Sequence, residues 1–276
     1  MVGLEFNYLL FGLAFFLLGI ASWQDFKSRE VVDWIWYCMI GGGMLIHTIQ
    51  VILLIITKES PVDYVNTWVF NFIFAFLLGL FIIFSGLMGE ADGFALVAIA
   101  MITPVSQPVI AFADPQYEII IQFIPRILGT FFNAHLFAIS APLLILCYNL
   151  VNNRLNSKLY ELPHESLWVR FAIRFVGYPH STDNLLEEIE KTPWHFDFLE
   201  EFKDDSIWKI VFRPMLESPE ADIQRKKDLI SLLKAKEKKH VWIQPSSPGI
   251  FFLTLGFIAD IFLGNIIMIC MALIVN

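Results

Sequence analysis

The chain has 276 residues, of which 57% are hydrophobic and 27 are Phe, and its mean hydropathy is +0.62. Such a composition excludes an ordinary soluble domain and points to a polytopic membrane protein. The formal charge of −8 belongs mostly to one polar segment, so it says little about partners, and no nucleic-acid partner is expected.

The first apolar run lacks a basic leading region and a small-x-small cleavage site, and further spans follow it, so it is expected to be retained. Spans 1, 2 and 3 are expected at 4–23, 32–57 and 68–85, each long enough to cross the ~30 Å hydrocarbon core as a helix. Gly41-Gly42-Gly43 within span 2 permits close helix approach or a bend. Span 4 should open just after Asp92 and be short or broken at Pro104 and Pro108. The apolar stretch 119–151 is too long for one straight span, and Pro125-Arg126 is expected to divide an interfacial piece from span 5.

Residues 152–248 change character. A period of two puts Leu167, Val169, Phe171, Ile173 and Phe175 on one face and Arg170 and Arg174 on the other, which predicts a half-buried strand over 167–175. Further strands are expected at 206–212 and 240–244. A helix should start at Ser218-Pro219-Glu220 and close with Lys234, Lys236, Lys238 and Lys239. Span 6 follows at 250–275. The fold class expected is therefore an α-helical polytopic membrane protein: six transmembrane helices with a small α+β cytoplasmic domain before the last span. Residues 1–151 hold helices 1–5, 152–248 the domain, and 249–276 the last helix.

All of the 19 Lys and Arg residues except Lys58 and Arg126 fall in 24–30 or 152–248. With six spans those segments share a side with the 86–92 loop, and the positive-inside rule makes that side cytoplasmic.

Two carboxylates stand at that membrane depth. Asp25 closes span 1 among Trp23 and Phe26, and Asp92 opens span 4 among small residues. Acidic residues at span ends also serve as solvated anchors. If the two helices pack, however, the carboxylates cannot both ionise, and the pair offers an acid and a base to one water. A helix N-terminus favours the ionised form of Asp92. None of the six His has HExxH spacing and no Ser sits in GxSxG, which argues against zinc and serine hydrolases. Cys38, Cys147 and Cys270 have no CxxC spacing, so no metal site is indicated.

The stretch Asp25-Phe26-Lys27-Ser28-Arg29-Glu30-Val31-Val32-Asp33-Trp34 resembles the first motif of archaeal preflagellin and prepilin peptidases. Gly89-Glu90-Ala91-Asp92 resembles their GxxD element, the GxGD pattern of intramembrane aspartyl proteases, with Ala91 replacing the second Gly. Pro125, Asn133 and Pro142 stand where that family has Pro, Asn and Pro in span 5. Val241-Trp242-Ile243-Gln244-Pro245, followed by Pro248-Gly249, is similar to its closing segment.

The resemblance implies an endopeptidase, independent of metal or other cofactor, that removes class III signal peptides from archaellin or archaeal type IV pilin precursors. Those substrates carry a basic segment, a small residue and then an apolar helix. By motif match, Asp25 and Asp92 are the catalytic pair, acting at the cytoplasmic membrane face, with Lys27, Arg29 and Gly89 as motif support. Asp33 and Glu90 are each an alternative to the neighbouring member of the pair and are expected instead to form a solvated acidic rim; a further reading has Glu30, Asp33 and Glu90 attract the basic residues before the scissile bond. Without CxxC motifs, methyl transfer is not expected. Asp260 is expected to play a structural part, either facing the bundle interior to pair with Arg126 or lying near enough to the outer interface to stay wet. Asn71, Asn133, His135 and Asn265 are expected to bond between helices. Membrane lipid is the remaining partner; the basic residues of 225–239 are expected to be a solvated helix face, with binding of anionic lipid as the alternative. The rival readings are a transporter or channel using Asp260 and Arg126 as a polar path, and a scaffold displaying 152–248.

Overall fold

The structure, a computed structural model, describes residues 2–85, 90–103, 125–155, 166–183, 185–192, 195–203, 207–210, 219–266 and 270. The apolar stretches are helical, because inside hydrocarbon every backbone N–H and C=O must find its partner within the segment. In chain order they are α1 (Val2–Ser28), α2 (Trp34–Ile56), α3 (Val62–Ser85), α4 (Glu90–Ile102), α5 (Arg126–Ala138) and α6 (Ser140–Leu155). The polar segment contributes α7 (Leu167–Val176), β1 (Tyr178–Ser181), α8 (Leu185–Lys191), β2 (Phe196–Phe198), β3 (Glu200–Lys203), β4 (Ile207–Ile210), α9 (Pro219–Ala235) and β5 (His240–Pro245). Last comes α10 (Gly249–Leu263).

Among the described residues four stretches are long and apolar enough to cross a membrane: Phe6–Ser28, Trp34–Ile56, Val62–Ser85 and Arg126–Asn152. The chain is thus a helical membrane protein with a small sheet. Helix α4 has 13 residues and α10 has 15, both shorter than a full span. Several boundaries move. Helix α1 continues past Trp23 to Ser28 and so carries Asp25 on it, and α4 begins at Glu90, ahead of Asp92. Pro104 and Pro108 lie outside the described residues. The last helix does not run unbroken through 250–275: Gly264 adopts φ 78, a conformation glycine takes without steric cost, and its N–H caps the Asp260 carbonyl at 3.0 Å.

The chain divides into two compact units, Met1–Phe137 with Pro248–Asn276, and Ala138–Ser247. In the first, α1 and α10 run antiparallel, with Phe15 near Phe257 and Ser22 donating to Thr254 at 2.7 Å. Helices α3 and α4 also run antiparallel and approach closely at two glycines. A Cβ on Gly79 would lie 2.8 Å from the Gly93 carbonyl oxygen, and one on Gly93 3.0 Å from that of Gly79. The C-terminal ends of α1 and α3 and the N-terminal ends of α4 and α10 thereby gather at one end of the bundle.

Buried polar groups tie this unit together, as membrane helices require. Asn71 donates to Ala100 O at 3.4 Å and accepts from Ile127 N at 3.0 Å. Asn133 bridges the break after α10, donating to Gly264 O at 2.9 Å and accepting from Ile266 N at 3.0 Å. Arg126 pairs with Asp260 at 3.3 Å. His135 differs from expectation: its ring bonds to Phe131 O within its own helix. A fourth clasp joins α2 to α3, where Tyr64 donates to Gln50 at 2.6 Å and meets Nδ1 of His47.

In the second unit, β1, β5 and β2 form an antiparallel sheet with β5 central, and β3 and β4 form a separate antiparallel pair. Helices α8 and α9 cover the sheet through Leu185, Ile189, Leu229, Ile230 and Leu233. The stretch 167–175 is a helix, not a strand. Arg170 and Arg174 are four residues apart and share a helical face as readily as a strand face. Local signals then decide the matter: the Ser166 side chain accepts from Val169 N, and Gly177 ends the helix. Strands β4 and β5 lie in the expected stretches, and α9 opens at Pro219. That helix ends at Ala235, so Lys236, Lys238 and Lys239 are not part of it. Glu237 turns the chain at φ 54, and Lys238 pairs with buried Glu200.

Candidate active site

The two aspartates expected from the sequence converge on the first turn of α10. Asp25 is buried, and its Oδ2 accepts from the backbone N–H groups of Ile250 at 2.9 Å and Phe251 at 3.2 Å. The first N–H groups of a helix have no partner within it, so an incoming carboxylate fills a real vacancy. Asp92 stands on the adjoining residue. A side chain on Gly249 would fall onto the Asp92 carboxylate, with both Cγ and Oδ2 2.8 Å from the Cβ position. Consecutive residues 249, 250 and 251 therefore meet one carboxylate and then the other.

The local sequence explains why both arrive there. Helix α1 is held to α10 on either side of Asp25: Ser22 bonds to Thr254 below it, and Phe26 packs on Phe251 with ring centroids 6.2 Å apart. Directly after Asp25 the helix is closed. The Arg29 backbone N–H and its Nη1 both donate to Asp25 O, at 3.0 and 3.2 Å, while Arg29 itself takes φ 59. Ser28 Oγ donates to Gln24 O, and the Gln24 side chain accepts from Val32 N at 3.1 Å, so the turn into α2 is stapled to the end of α1. Burial lowers the pKa of the Arg29 guanidinium, and the Asp25 charge opposes that shift. Asp92 is carried in by α4, whose glycine contact at Gly93 lets α3 press close behind it.

The remaining expected residues sit around this pair. Glu30, Asp33 and Glu90 are exposed at the same end of the bundle. Asp33 precedes α2 without capping it through its side chain. Lys27 is exposed near the end of α1. Gly89 lies outside the described residues. What the sequence did not reveal is the third participant, the Gly249–Phe251 backbone. The available signal was Pro248-Gly249 directly before an apolar run, the punctuation of a helix start next to a residue without a side chain.

This arrangement defines a class: a polytopic helical membrane protein with two carboxylates brought together at one end of its bundle. Residues 12–143, which include both aspartates, match the model of the type IV leader peptidase family. A preflagellin peptidase from Methanococcus voltae is 28% identical over 253 residues, covering 90% of this chain and 93% of that protein. A second preflagellin peptidase, from Methanococcus maripaludis, is 30% identical over 142 residues, 48% of this chain and 55% of that protein. These matches support the resemblance to the type IV leader peptidase family read from the sequence. They support a protease, with which an aspartic-type endopeptidase is consistent, and weigh against the transporter and scaffold readings.

Proposed function

We propose that Asp25 and Asp92 jointly activate a water that cleaves the class III signal peptide from archaellin or archaeal pilin precursors at the cytoplasmic membrane face. The observation that carries this is their convergence on Gly249–Phe251. Two carboxylates so placed can share one proton. The ionised member takes a proton from water as the water oxygen adds to the scissile carbonyl carbon. The protonated member gives its proton to the carbonyl oxygen. Collapse of the resulting gem-diol breaks the C–N bond, and a proton passes to the departing amine. The protonation state belongs to the pair as a unit.

The substrate class is supported by the two Methanococcus relatives, which carry the name preflagellin peptidase. The cytoplasmic face is supported by Lys27 and Arg29 at the end of α1 that carries the site. In this reading α4 and α10, about 20 and 22 Å long by helical rise, are the short members of six spans. Residues 152–248 form the cytoplasmic domain between the helices of 1–151 and the last span in 249–276. Glu30, Asp33 and Glu90 draw in the basic residues that precede the scissile bond. Neutralising all three should slow processing, and more so at low salt; unchanged rates at both salt levels would remove them from the reading.

The decisive experiment incubates detergent-purified protein with an archaellin precursor. Wild type should release the leader, while Asp25→Asn and Asp92→Asn, shown to be folded by thermal melting, should release none. Processing that survives either substitution rules out the shared-water mechanism.

A further inference from the structure

Helix α7, in the 138–247 unit, is apolar on two opposite faces. Val169, Ile173 and Val176 face inward and pack with Leu199 and Trp242. The opposite face shows Leu167, Trp168 and Phe171 to the outside, Leu167 80% and Trp168 83% exposed. The Phe171 ring pairs with that of Phe175, centroids 4.9 Å apart, extending this outer stripe by a turn. Arg170 and Arg174 line one flank between the two faces. A soluble surface rarely leaves a Trp and a Leu this bare side by side.

The position of α7 says what covers that stripe. Asn149 of α6 donates from Nδ2 to two carbonyls at the end of α7, Arg174 O at 2.8 Å and Gly177 O at 2.6 Å. Asn149 is in the last turn of the candidate span Arg126–Asn152, about 5 Å of helical rise from its end. The clip therefore sets the C-terminal end of α7 at the depth where that span leaves the hydrocarbon. Around Asn149, α6 is itself bare and apolar, with Leu143, Leu144, Leu150 and Val151 exposed. The α7 stripe is thus clipped to a helix that is itself bare and apolar.

We propose that α7 is an interfacial helix: Leu167, Trp168 and Phe171 lie in the headgroup–acyl boundary of the bilayer that α6 crosses, and Arg170 and Arg174 reach the lipid phosphates. An aromatic and aliphatic face flanked by cations is the composition that partitions there, and long Arg stems let the charge rise to the phosphate level. The helix then holds the 138–247 unit flat against the membrane. This does not depend on the peptidase mechanism.

The test uses the full chain in nanodiscs containing phosphatidylglycerol. In a background with Cys38, Cys147 and Cys270 replaced by Ala, a nitroxide is placed at Leu167→Cys, Trp168→Cys or Phe171→Cys, with Lys191→Cys on α8 as the solvent control. Oxygen concentrates in lipid and a nickel chelate stays in water. The ratio of oxygen to nickel accessibility should be several-fold higher at the three α7 sites than at 191. Equal ratios would show a face open to water, and shielding from both reagents would show a protein partner; either overturns the proposal. In the unsubstituted protein, a diazirine carried on an acyl chain should label the 167–175 peptide as well as α6. Adducts on α6 without adducts on 167–175 overturn it too.

Discussion

The Asp92 carboxylate occupies the space that a side chain on Gly249 would need. The closing residue of the GxxD element and the opening residue of the last helix are 157 positions apart in sequence and in contact in the fold. Gly249→Ala should therefore displace Asp92 rather than unfold the protein. A displacement of this kind should lower kcat for leader cleavage by ~10- to 100-fold with KM little changed. Single-turnover cleavage, together with an unshifted melting temperature, checks this. An alanine variant with wild-type kcat would mean that Asp92 has room to spare.

Asp260 and Arg126 form a buried pair, with side chains 6% and 9% exposed. Removing one partner of such a pair strands the other charge, at a cost of ~3–5 kcal/mol. Arg126→Ala should lower thermal stability in detergent sharply. The double variant Arg126→Met with Asp260→Leu should recover most of the loss, because neither charge then remains. Melting temperatures of the two variants decide the point.

Asn133 satisfies a donor and an acceptor on the two sides of the Gly264 break. Asn133→Leu leaves the Ile266 N–H and the Gly264 carbonyl without that partner, which should cost ~1–3 kcal/mol. Hydrogen exchange at 264–266 should rise more than in α10 itself. Uniform exchange along the segment would show that other groups hold the break.

Asp222 in α9 is buried enough for its pKa to rise, yet Lys226 at 2.7 Å and Arg225 beside it outweigh the burial and hold it below its ordinary value of 3.8. A carboxylate whose folded pKa is depressed adds stability above its unfolded pKa and loses it as pH falls through the folded one. Asp222→Asn should therefore destabilise the full chain at neutral pH. The difference from wild type should shrink below pH 3.8. Thermal melts across pH measure it, and a difference that persists undiminished at low pH would contradict the ion-pair account.

How far this molecule could be read from its residues depends on the range of the forces involved. Membrane character, the long spans and the two aspartates were legible because hydropathy over a window of residues and a charge among apolar neighbours are local properties. The 167–175 segment shows where locality misleads. Nearly every position there is apolar, so alternation and helical period both fit, and the Ser166 and Gly177 caps decided for a helix. The last span was expected to be continuous because its apolar run is continuous; one glycine, with Asn133 from another helix to satisfy the broken turn, interrupts it.

Sequence alone determined that this is a membrane protein and that Asp25 and Asp92 are its conspicuous carboxylates; that Asp260 pairs with Arg126 rather than staying wet at the outer interface came from the fold. Only the tertiary structure decided what lies between the aspartates. An N–H group left over at a helix start has no mark in the sequence, and a glycine shows its purpose only when the atom filling its missing side chain comes from a distant part of the chain. Gly249–Phe251 gained its place at the site that way, because helix packing, not sequence proximity, sets which carboxylate reaches which backbone group.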